Sequence, residues 1–158
     1  VTLSDVATEA GVTRPTVYRY FGSADELFVA AAVTASGGFL ERARSRVARL
    51  DDPIERVVET LAILIAEVPE DPYLGQLFQM RDVVSVRAQR QNAFVANELR
   101  LHFGDRWRGD DRDMDDVAEF QLRLLTSFLD DPGPERDVRE RRRYLTRVIE
   151  PVLRPHCA

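Results

Sequence analysis

The sequence has one cysteine, two histidines and no lysine among its 158 residues. Its single thiol, Cys157, excludes an internal disulfide framework and a multi-cysteine zinc site. The longest uninterrupted apolar run is the seven residues 27–33, whereas a membrane-spanning helix needs about 20. The chain opens without the charged and then apolar segment of an export leader. We therefore expect a cytoplasmic protein without a membrane partner.

The sequence also lacks the patterns of common catalytic and metal sites. It contains no Gly-rich phosphate loop, no Gly-x-Ser-x-Gly elbow and no His-Glu-x-x-His pair. The acidic stretch that starts at Asp111 has neither the glycine at loop position six nor the glutamate at position twelve that a calcium loop requires. We therefore predict a protein without enzymatic activity, cofactor or metal.

Negative charge is in excess, with 27 acidic residues against 22 arginines and a net charge of −5. On its own this balance argues against nucleic-acid binding. However, residues 1–22 carry two arginines, Arg14 and Arg19, against two acids, Asp5 and Glu9. The whole deficit therefore lies after residue 22, and a nucleic-acid-binding segment at the amino-terminal end remains compatible with the composition.

Apolar residues recur at spacings of three and four along most of the chain, which predicts an all-α fold. Proline, glycine and Asp/Ser/Thr caps divide the chain into segments of helical length. The predicted domains are 1–22, a helix-turn-helix part; 23–50, a long connecting helix; and 51–158, a ligand-binding and dimerisation domain. Within the last domain, helices are predicted from Asp52-Pro53 onwards and over about 71–80, 84–103, 111–129 and 134–153.

Residues 2–21 form the most informative stretch. Two short helices, the second starting at Thr13, are joined by a turn at Gly11. Ala7, Gly11 and Val17 match the small, glycine and apolar spacing of a helix-turn-helix, in which a small residue lets the helices approach and glycine takes the turn.

The second of these helices has a polar face once its core positions are set aside. Cations, hydroxyls and phenols on so short a helix suit a DNA groove. The alternative is an ordinary helical hairpin whose tyrosines shield its core. The polar set favours DNA and comprises Arg14, Pro15, Thr16, Tyr18, Arg19 and Tyr20.

This stretch resembles the DNA-binding signature of the TetR family of bacterial repressors. The pattern is Thr2-Leu3-x-x-Val6-Ala7-x-x-Ala10-Gly11-Val12-Thr13-x-Pro15-Thr16-Val17-Tyr18-x-Tyr20-Phe21. The resemblance covers residues 2–21, and the remainder is similar only in its helical layout. It implies an all-helical ligand-binding and dimerisation domain behind a DNA-binding head.

The resemblance also implies roles for single residues. The helix that begins at Thr13 would enter the major groove. The residues carried over to base edges are Arg14, Pro15 and Tyr18, and those carried over to phosphates are Thr2, Thr16, Arg19 and Tyr20. Arginine can bracket guanine O6 and N7, and a proline ring can press on a thymine methyl group.

Two departures from the family pattern stand out. The family has one further helix before this motif, which we expect to precede the ordered part of the chain; without it, Leu3, Ala7 and Phe21 would be exposed. Many members also place a phosphate-binding lysine where this chain has Ala24. Ser23 and the amides at the start of the following helix are the expected replacement.

The helix over 111–129 carries apolar residues on two sides, which one small core cannot bury. A four-helix seam between two subunits would bury them, although a central helix in a monomer is a competing explanation. The family resemblance favours a homodimer on a palindromic operator. The predicted interface residues are Phe120, Leu124, Phe128, Tyr144, Leu145, Val148, Ile149 and Val152.

The resemblance further implies a cavity for a small, largely apolar effector. The function predicted is therefore a ligand-responsive repressor of transcription; the alternative is a helical small-molecule-binding protein of the same architecture without DNA recognition. The predicted pocket residues are Phe39, Leu61, Ile65, Tyr73, Leu77, Phe78, Phe94, Phe103 and Phe120.

Overall fold

The computed structural model describes residues 2–35, 37–72, 74–75 and 88–158. These residues form α-helices and two short 3₁₀ turns, with no β-strand among them. No helix in this part of the chain is long and apolar enough to cross a membrane. The helices are α1 Leu3–Glu9, α2 Arg14–Tyr20, α3 Ala24–Ala35, α4 Gly37–Val47, α5 Pro53–Glu67, α6 Ala88–Phe103, α7 Asp111–Asp130 and α8 Val138–Leu153.

The all-α prediction is confirmed, and local chemistry explains several of its boundaries. The predicted helix over 134–153 starts instead at Val138. Asp137 accepts a hydrogen bond from the Glu140 amide, and the Glu140 carboxylate accepts one from the Asp137 amide. This reciprocal cap fixes the first turn of α8 four residues later than predicted.

The predicted helix over 23–50 corresponds to α3 and α4, which are separated by residue 36, outside the described part. In the predicted helices over 71–80 and 84–103, the described residues are 71–72, 74–75 and 88–103; residues 71–72 form a bend and a turn, and the other two stretches are helical. The helix predicted over 111–129 spans Asp111–Asp130 and begins with a second reciprocal cap, between Asp110 and Asp113.

The main core lies between α5, α6, α7 and α8. Leu145, Ile149 and Leu153 of α8 are fully buried there, against the apolar side of α5. Glu59 of α5 also receives two hydrogen bonds from the Arg142 guanidinium of α8, at 2.5 and 2.6 Å. A bidentate pair of this kind fixes the rotation of one helix against the other as well as their separation.

A second, smaller core joins α4 to α5. Phe39, Ala43 and Val47 of α4 pack with Ile63 and Val68, so this cluster is distinct from the main core. The Arg44 guanidinium of α4 also makes two hydrogen bonds to the Glu98 carboxylate of α6, at 3.0 and 2.6 Å. Apolar contacts therefore tie α4 to α5, and a bidentate ion pair ties it to α6.

His102 is a buried imidazole near the end of α6. Its Nε2 lies 3.3 Å from the hydroxyl of Thr60, and only 9% of the residue is exposed. Burial lowers the pKa of His102 below its ordinary value of 6.5; Glu98 opposes this effect, whereas Arg56 and Arg44 add to it. The folded chain therefore holds His102 neutral at a pH where the unfolded chain protonates it.

We expect acid to destabilise the fold through His102. Because its pKa is lower in the folded than in the unfolded chain, its contribution to stability is complete above about pH 6.5 and is lost as the pH falls from there towards the folded pKa. One proton gives a slope of at most about 1.4 kcal/mol per pH unit. Urea unfolding at pH 7.5 and pH 5.5 should show a smaller loss for His102→Gln than for the wild type. Equal losses in the two proteins would contradict this explanation.

Gly11, between α1 and α2, has a φ of +65°. A Cβ placed there meets no atom within 4 Å, so the backbone conformation alone opposes a side chain. Gly11→Ala should lower the free energy of unfolding by about 1 kcal/mol. Gly37→Ala is the matched control, because its Cβ also meets nothing within 4 Å and its φ is not left-handed. A chemical denaturation series in which both variants keep wild-type stability would refute the assignment.

Candidate nucleic-acid interface

A small core holds α1 and α2 together. Leu3, Ala7 and Val17 are 5%, 1% and 7% exposed, and Phe21 and Leu27 pack around them. The expectation that Leu3 and Ala7 need a further helix to cover them is therefore wrong. The near-complete burial of Ala7 shows why a small residue is required: its methyl group lies at the helix contact, where a longer side chain would separate the helices.

The turn between the helices is fixed by the backbone. The amide of Gly11 donates to the Thr8 carbonyl at 3.2 Å, and the amide of Val12 donates to the Ala7 carbonyl at 3.0 Å. With the left-handed Gly11, these bonds end α1 and redirect the chain into α2. The structure thus brings Ala7, Gly11 and Val17 together as the spacing predicted.

Thr13 lies at the N-cap position of α2, but its side chain does not cap the helix. Its hydroxyl is hydrogen-bonded to that of Thr16 at 2.8 Å. The main chain supplies the first hydrogen bonds instead, since the amides of Thr16 and Val17 both donate to the Thr13 carbonyl. The two hydroxyls therefore form a polar pair at the start of α2.

The side of α2 that faces away from Val17 and α1 is open to solvent. Tyr18 and Tyr20 are 55% and 65% exposed, which is unusual for residues with large apolar rings. Arg14, Pro15 and Arg19 are exposed as well, and Thr16 is half-buried. Every residue predicted to approach DNA from α2 is therefore accessible to a partner.

The exposed side of α2 carries two cations without a salt bridge in the described residues, although Asp5 of α1 interacts electrostatically with Arg14. No residue of α2 is acidic, and neither Arg14 nor Arg19 forms a salt bridge within the described residues. Unpaired guanidinium groups beside phenol hydroxyls give the donor chemistry that phosphate oxygens and guanine edges accept.

One contact on this face was not predicted from the sequence. A guanidinium N–H of Arg19 donates to the Tyr20 hydroxyl at 3.0 Å, and the Arg19 Cζ lies 4.9 Å from the centre of the Tyr20 ring. The arginine thus folds onto its neighbour. Sequence spacing gives no signal for it, because adjacent helix residues do not normally face each other.

Thr2 lies at the start of α1 and is already engaged in a local network. Its amide and its hydroxyl both donate to the Asp5 carboxylate at 2.8 Å, and its hydroxyl oxygen accepts from the Asp5 amide. The hydrogen bonds from the Thr2 backbone and side chain lower the pKa of Asp5. The predicted capping box is confirmed, but a phosphate would have to compete with Asp5 for the Thr2 donors.

The start of α3 differs in part from the expected arrangement. The Glu26 amide donates to the Ser23 hydroxyl at 3.1 Å, while the Glu26 carboxylate accepts from the amide of Gly22 at 2.8 Å. These bonds occupy the Glu26 amide, one of the donors that were expected to replace the missing lysine at Ala24, whereas the Ser23 hydroxyl only accepts and keeps its proton to donate. They also place a carboxylate at the start of the helix, which disfavours a phosphate there.

The predicted pocket residues that the structure describes are divided between the two cores and the surface. Leu61, Ile65 and Phe103 are in the main core, whereas Phe39 is in the second core. Phe94 is 45% exposed, and Phe120 is half-buried. Tyr73, Leu77 and Phe78 lie outside the described residues. An open cleft of about 740 Å³ lies elsewhere, beside Trp107, Arg100 and Arg108 at the connection of α6 and α7.

The predicted dimer residues fall into two groups. Leu145 and Ile149 are fully buried in the chain's own core, so they have no surface left for a second subunit, and including them was wrong. The other six are half-buried. Phe128 of α7 and Tyr144 of α8 contact each other edge to face, with ring centres 5.9 Å apart, so the half-buried sides of the two helices meet at this pair.

No group of three or more histidine, cysteine or acidic side chains is arranged to hold a metal ion in the described ranges. Among the residues that the structure describes, three buried side-chain polar atoms lack a hydrogen-bond partner: Asn92 Oδ1, Trp107 Nε1 and Gln121 Nε2. None of the three residues is on α1 or α2. The polar groups that α1 and α2 offer to a partner are therefore the exposed ones described above.

Comparison with known proteins agrees with this geometry. Residues 1–31 match the family model described as "Bacterial regulatory proteins, tetR family". The chain is also similar to two uncharacterized HTH-type transcriptional regulators of Mycobacterium tuberculosis, from strains CDC 1551 / Oshkosh and H37Rv. Each is 24% identical over 157 residues, which cover 99% of this chain and 77% of the relative. The match includes both short helices, the turn at Gly11 and the exposed arginines and tyrosines of α2. The amino-terminal segment of the chain therefore matches the DNA-binding part of the tetR family, and nearly the whole chain is similar to helix-turn-helix transcriptional regulators.

Proposed function

We propose that the chain is a repressor that binds palindromic operator DNA as a homodimer in the cytoplasm and is released by a small, largely apolar effector. The observation that carries this proposal is the exposed side of α2, which presents Arg14, Tyr18, Arg19 and Tyr20 to solvent without an acidic residue. It acts by binding rather than by catalysis.

The proposed base contacts lie towards the start of α2. Arg14 and Pro15 are in the first turn of the helix and Tyr18 follows one turn later, so they share the end and the face that enter a major groove in helix-turn-helix proteins. Arg14 is the proposed main base reader, because its fork can make two hydrogen bonds to one guanine.

The proposed phosphate contacts flank the base readers. Arg19 and Tyr20 lie in the last turn of α2, and Thr16 lies beside Thr13 near its start. Contacts from both ends of a short helix to the sugar–phosphate backbone would fix its register in the groove. Thr2 joins this set only if a phosphate displaces Asp5.

The proposed dimer interface is the surface formed by the half-buried residues Phe120, Leu124 and Phe128 of α7 with Tyr144, Val148 and Val152 of α8. Adjacent helices with partly exposed aromatic and branched side chains form a four-helix seam when two copies meet across a two-fold axis. Such a dimer would present two copies of α2 to the two halves of a palindrome.

The proposed release mechanism is a shift between two subunit geometries. Leu61, Ile65 and Phe103 line the main core between α5 and α6, and α4 is tied to both helices through the second core and the Arg44–Glu98 pair. An effector that separates α5 from α6 would therefore displace α4 and, through it, the DNA-binding head. It would act only to the extent that it binds one geometry more tightly than the other.

A gel shift on DNA from upstream of the chain's own gene tests the DNA-binding part of the proposal. Because phosphate contacts release counterions, affinity should fall steeply as salt is raised from 50 to 200 mM, by about a thousandfold for six phosphate contacts. Binding that is absent at low salt would favour the alternative of a helical small-molecule-binding protein.

Arg14→Ala should weaken binding to the operator by about ten- to a hundredfold, because the bidentate contact to a guanine is lost. Its affinity for a scrambled duplex should change by less than about threefold. Arg19→Ala is the matched control, since loss of a phosphate contact should weaken both duplexes by a similar factor. Fluorescence anisotropy with both duplexes measures these ratios. If Arg14→Ala weakened the two duplexes equally, Arg14 would not be the base reader.

Val148→Asp should convert the dimer into a folded monomer, because a carboxylate would be buried at the centre of the seam without a partner. Native mass spectrometry at micromolar concentration reports the subunit count and any co-purified small molecule. Leu101→Asp on α6 is the control, because Leu101 is 62% exposed and lies outside the proposed interface.

We expect Leu101→Asp to remain dimeric and Val148→Asp to lose at least about a hundredfold in operator affinity with its second half-site contact. A wild-type chain that is monomeric and still binds the operator would rule out the proposed assembly.

A further inference from the structure

We propose that Arg19 and Tyr20 bind one backbone phosphate as a single unit, in which Tyr20 is a positioning residue for the Arg19 guanidinium. The inference rests on the proposed DNA-binding function and goes beyond it, because the two residues were expected to contact phosphates independently. The hydrogen bond of 3.0 Å between the Arg19 guanidinium and the Tyr20 hydroxyl carries it.

Two contacts of different kinds hold the guanidinium in place. The hydroxyl of Tyr20 accepts one N–H of Arg19, and the tyrosine ring lies under the guanidinium carbon at 4.9 Å. The hydrogen bond holds one guanidinium nitrogen at the Tyr20 hydroxyl, and the ring contact holds the guanidinium carbon over the ring. Together they restrict a long side chain that would otherwise sample many rotamers.

The position of the pair at the end of α2 makes this contact possible. Tyr20 is the last residue of the helix, and the following Phe21 is extended, with φ −133° and ψ 118°. The chain leaves the helix directly after Tyr20, and both the tyrosine and Arg19 remain exposed.

The charge of the pair is available to a partner. Arg19 makes no salt bridge in the described part of the chain, so its positive charge is not neutralised by a neighbouring carboxylate. A guanidinium has five N–H donors and uses one here, so the remaining donors can reach a phosphate oxygen. The Tyr20 hydroxyl accepts from Arg19 and keeps its own proton to donate.

Hydrogen bonds in such a chain reinforce each other. A phenol that accepts from a cation becomes a better donor, and both donors of the pair can converge on one phosphate group. A phosphate bound in this way is held by a cation that was oriented before binding, which reduces the entropy lost on association. The two residues should therefore contribute together more than either does alone.

A double-mutant cycle on a 30-base-pair duplex of random sequence tests the proposal, because phosphate contacts do not need the operator. Tyr20→Phe keeps the ring and removes the hydroxyl. It should weaken binding by about fivefold in the wild-type background and by no more than about twofold in an Arg19→Ala background, where the hydroxyl keeps its own hydrogen bond but no longer orients the guanidinium. Arg19→Ala should also reduce the slope of log affinity against log salt by about 1, whereas Tyr20→Phe should leave the slope unchanged.

Tyr18→Phe is the matched control, since Tyr18 is an exposed tyrosine of the same helix without a contact to Arg19 among the described residues. Its effect should be the same in both backgrounds. Circular dichroism of each variant verifies that α2 remains folded. A Tyr20→Phe effect of equal size with and without Arg19 would overturn the inference, because the hydroxyl would then act alone. Wild-type protein that does not bind the duplex at 50 mM salt would instead refute the proposed function.

Discussion

The contact of Leu3, Ala7 and Val17 is the constraint on which the DNA-binding head depends. Helices of seven residues are not stable alone in water, so α2 exists in this form only because Val17 fixes it to α1. Val17 is the buried residue of α2 and supplies most of the apolar contact that this helix makes. The remaining positions are free to carry arginine and tyrosine on the outside. Because the small core needs only one residue of α2, the other side chains of this helix can stay exposed without unfolding α1 and α2.

In the larger part of the molecule, different residues of α5 pack into two different cores. Ile63 of α5 packs in the second core with α4, while Leu61 and Ile65 pack in the main core. Leu64 and Leu129 contact both clusters. The helix α5 therefore belongs to both cores, and a change in packing on its main-core side would alter its contacts with α4 directly. The Arg44–Glu98 ion pair also connects α6 to α4, by charge and hydrogen bonds rather than by apolar packing.

Helical period and capping chemistry predicted most of the fold, because both are local. The start of α7 at Asp111 follows from the Asp110 cap, and the helix-turn-helix follows from the spacing of Ala7, Gly11 and Val17. What could not be predicted depends on the third dimension. An apolar stripe on α8 does not reveal which residues face the chain's own core, so Leu145 and Ile149 were assigned to a dimer interface although the chain itself buries them. The sequence also did not indicate that Phe39 and Phe103 belong to different cores.

The distribution of arginine partners explains how an acidic protein can present a DNA-binding face. In the helical body, Arg44, Arg46 and Arg142 are each paired with a glutamate on another helix. In these pairs the guanidinium orients one helix against another, and the glutamate neutralises its positive charge. On α2 the arginines have no such partner, and Arg19 is held by a neutral phenol that orients it without neutralising it. Because surface charges are screened over about 8 Å at physiological salt, a phosphate at α2 experiences these local cations far more than the excess of acids elsewhere. The net charge of the chain is therefore a poor guide to the charge that a partner meets at α2.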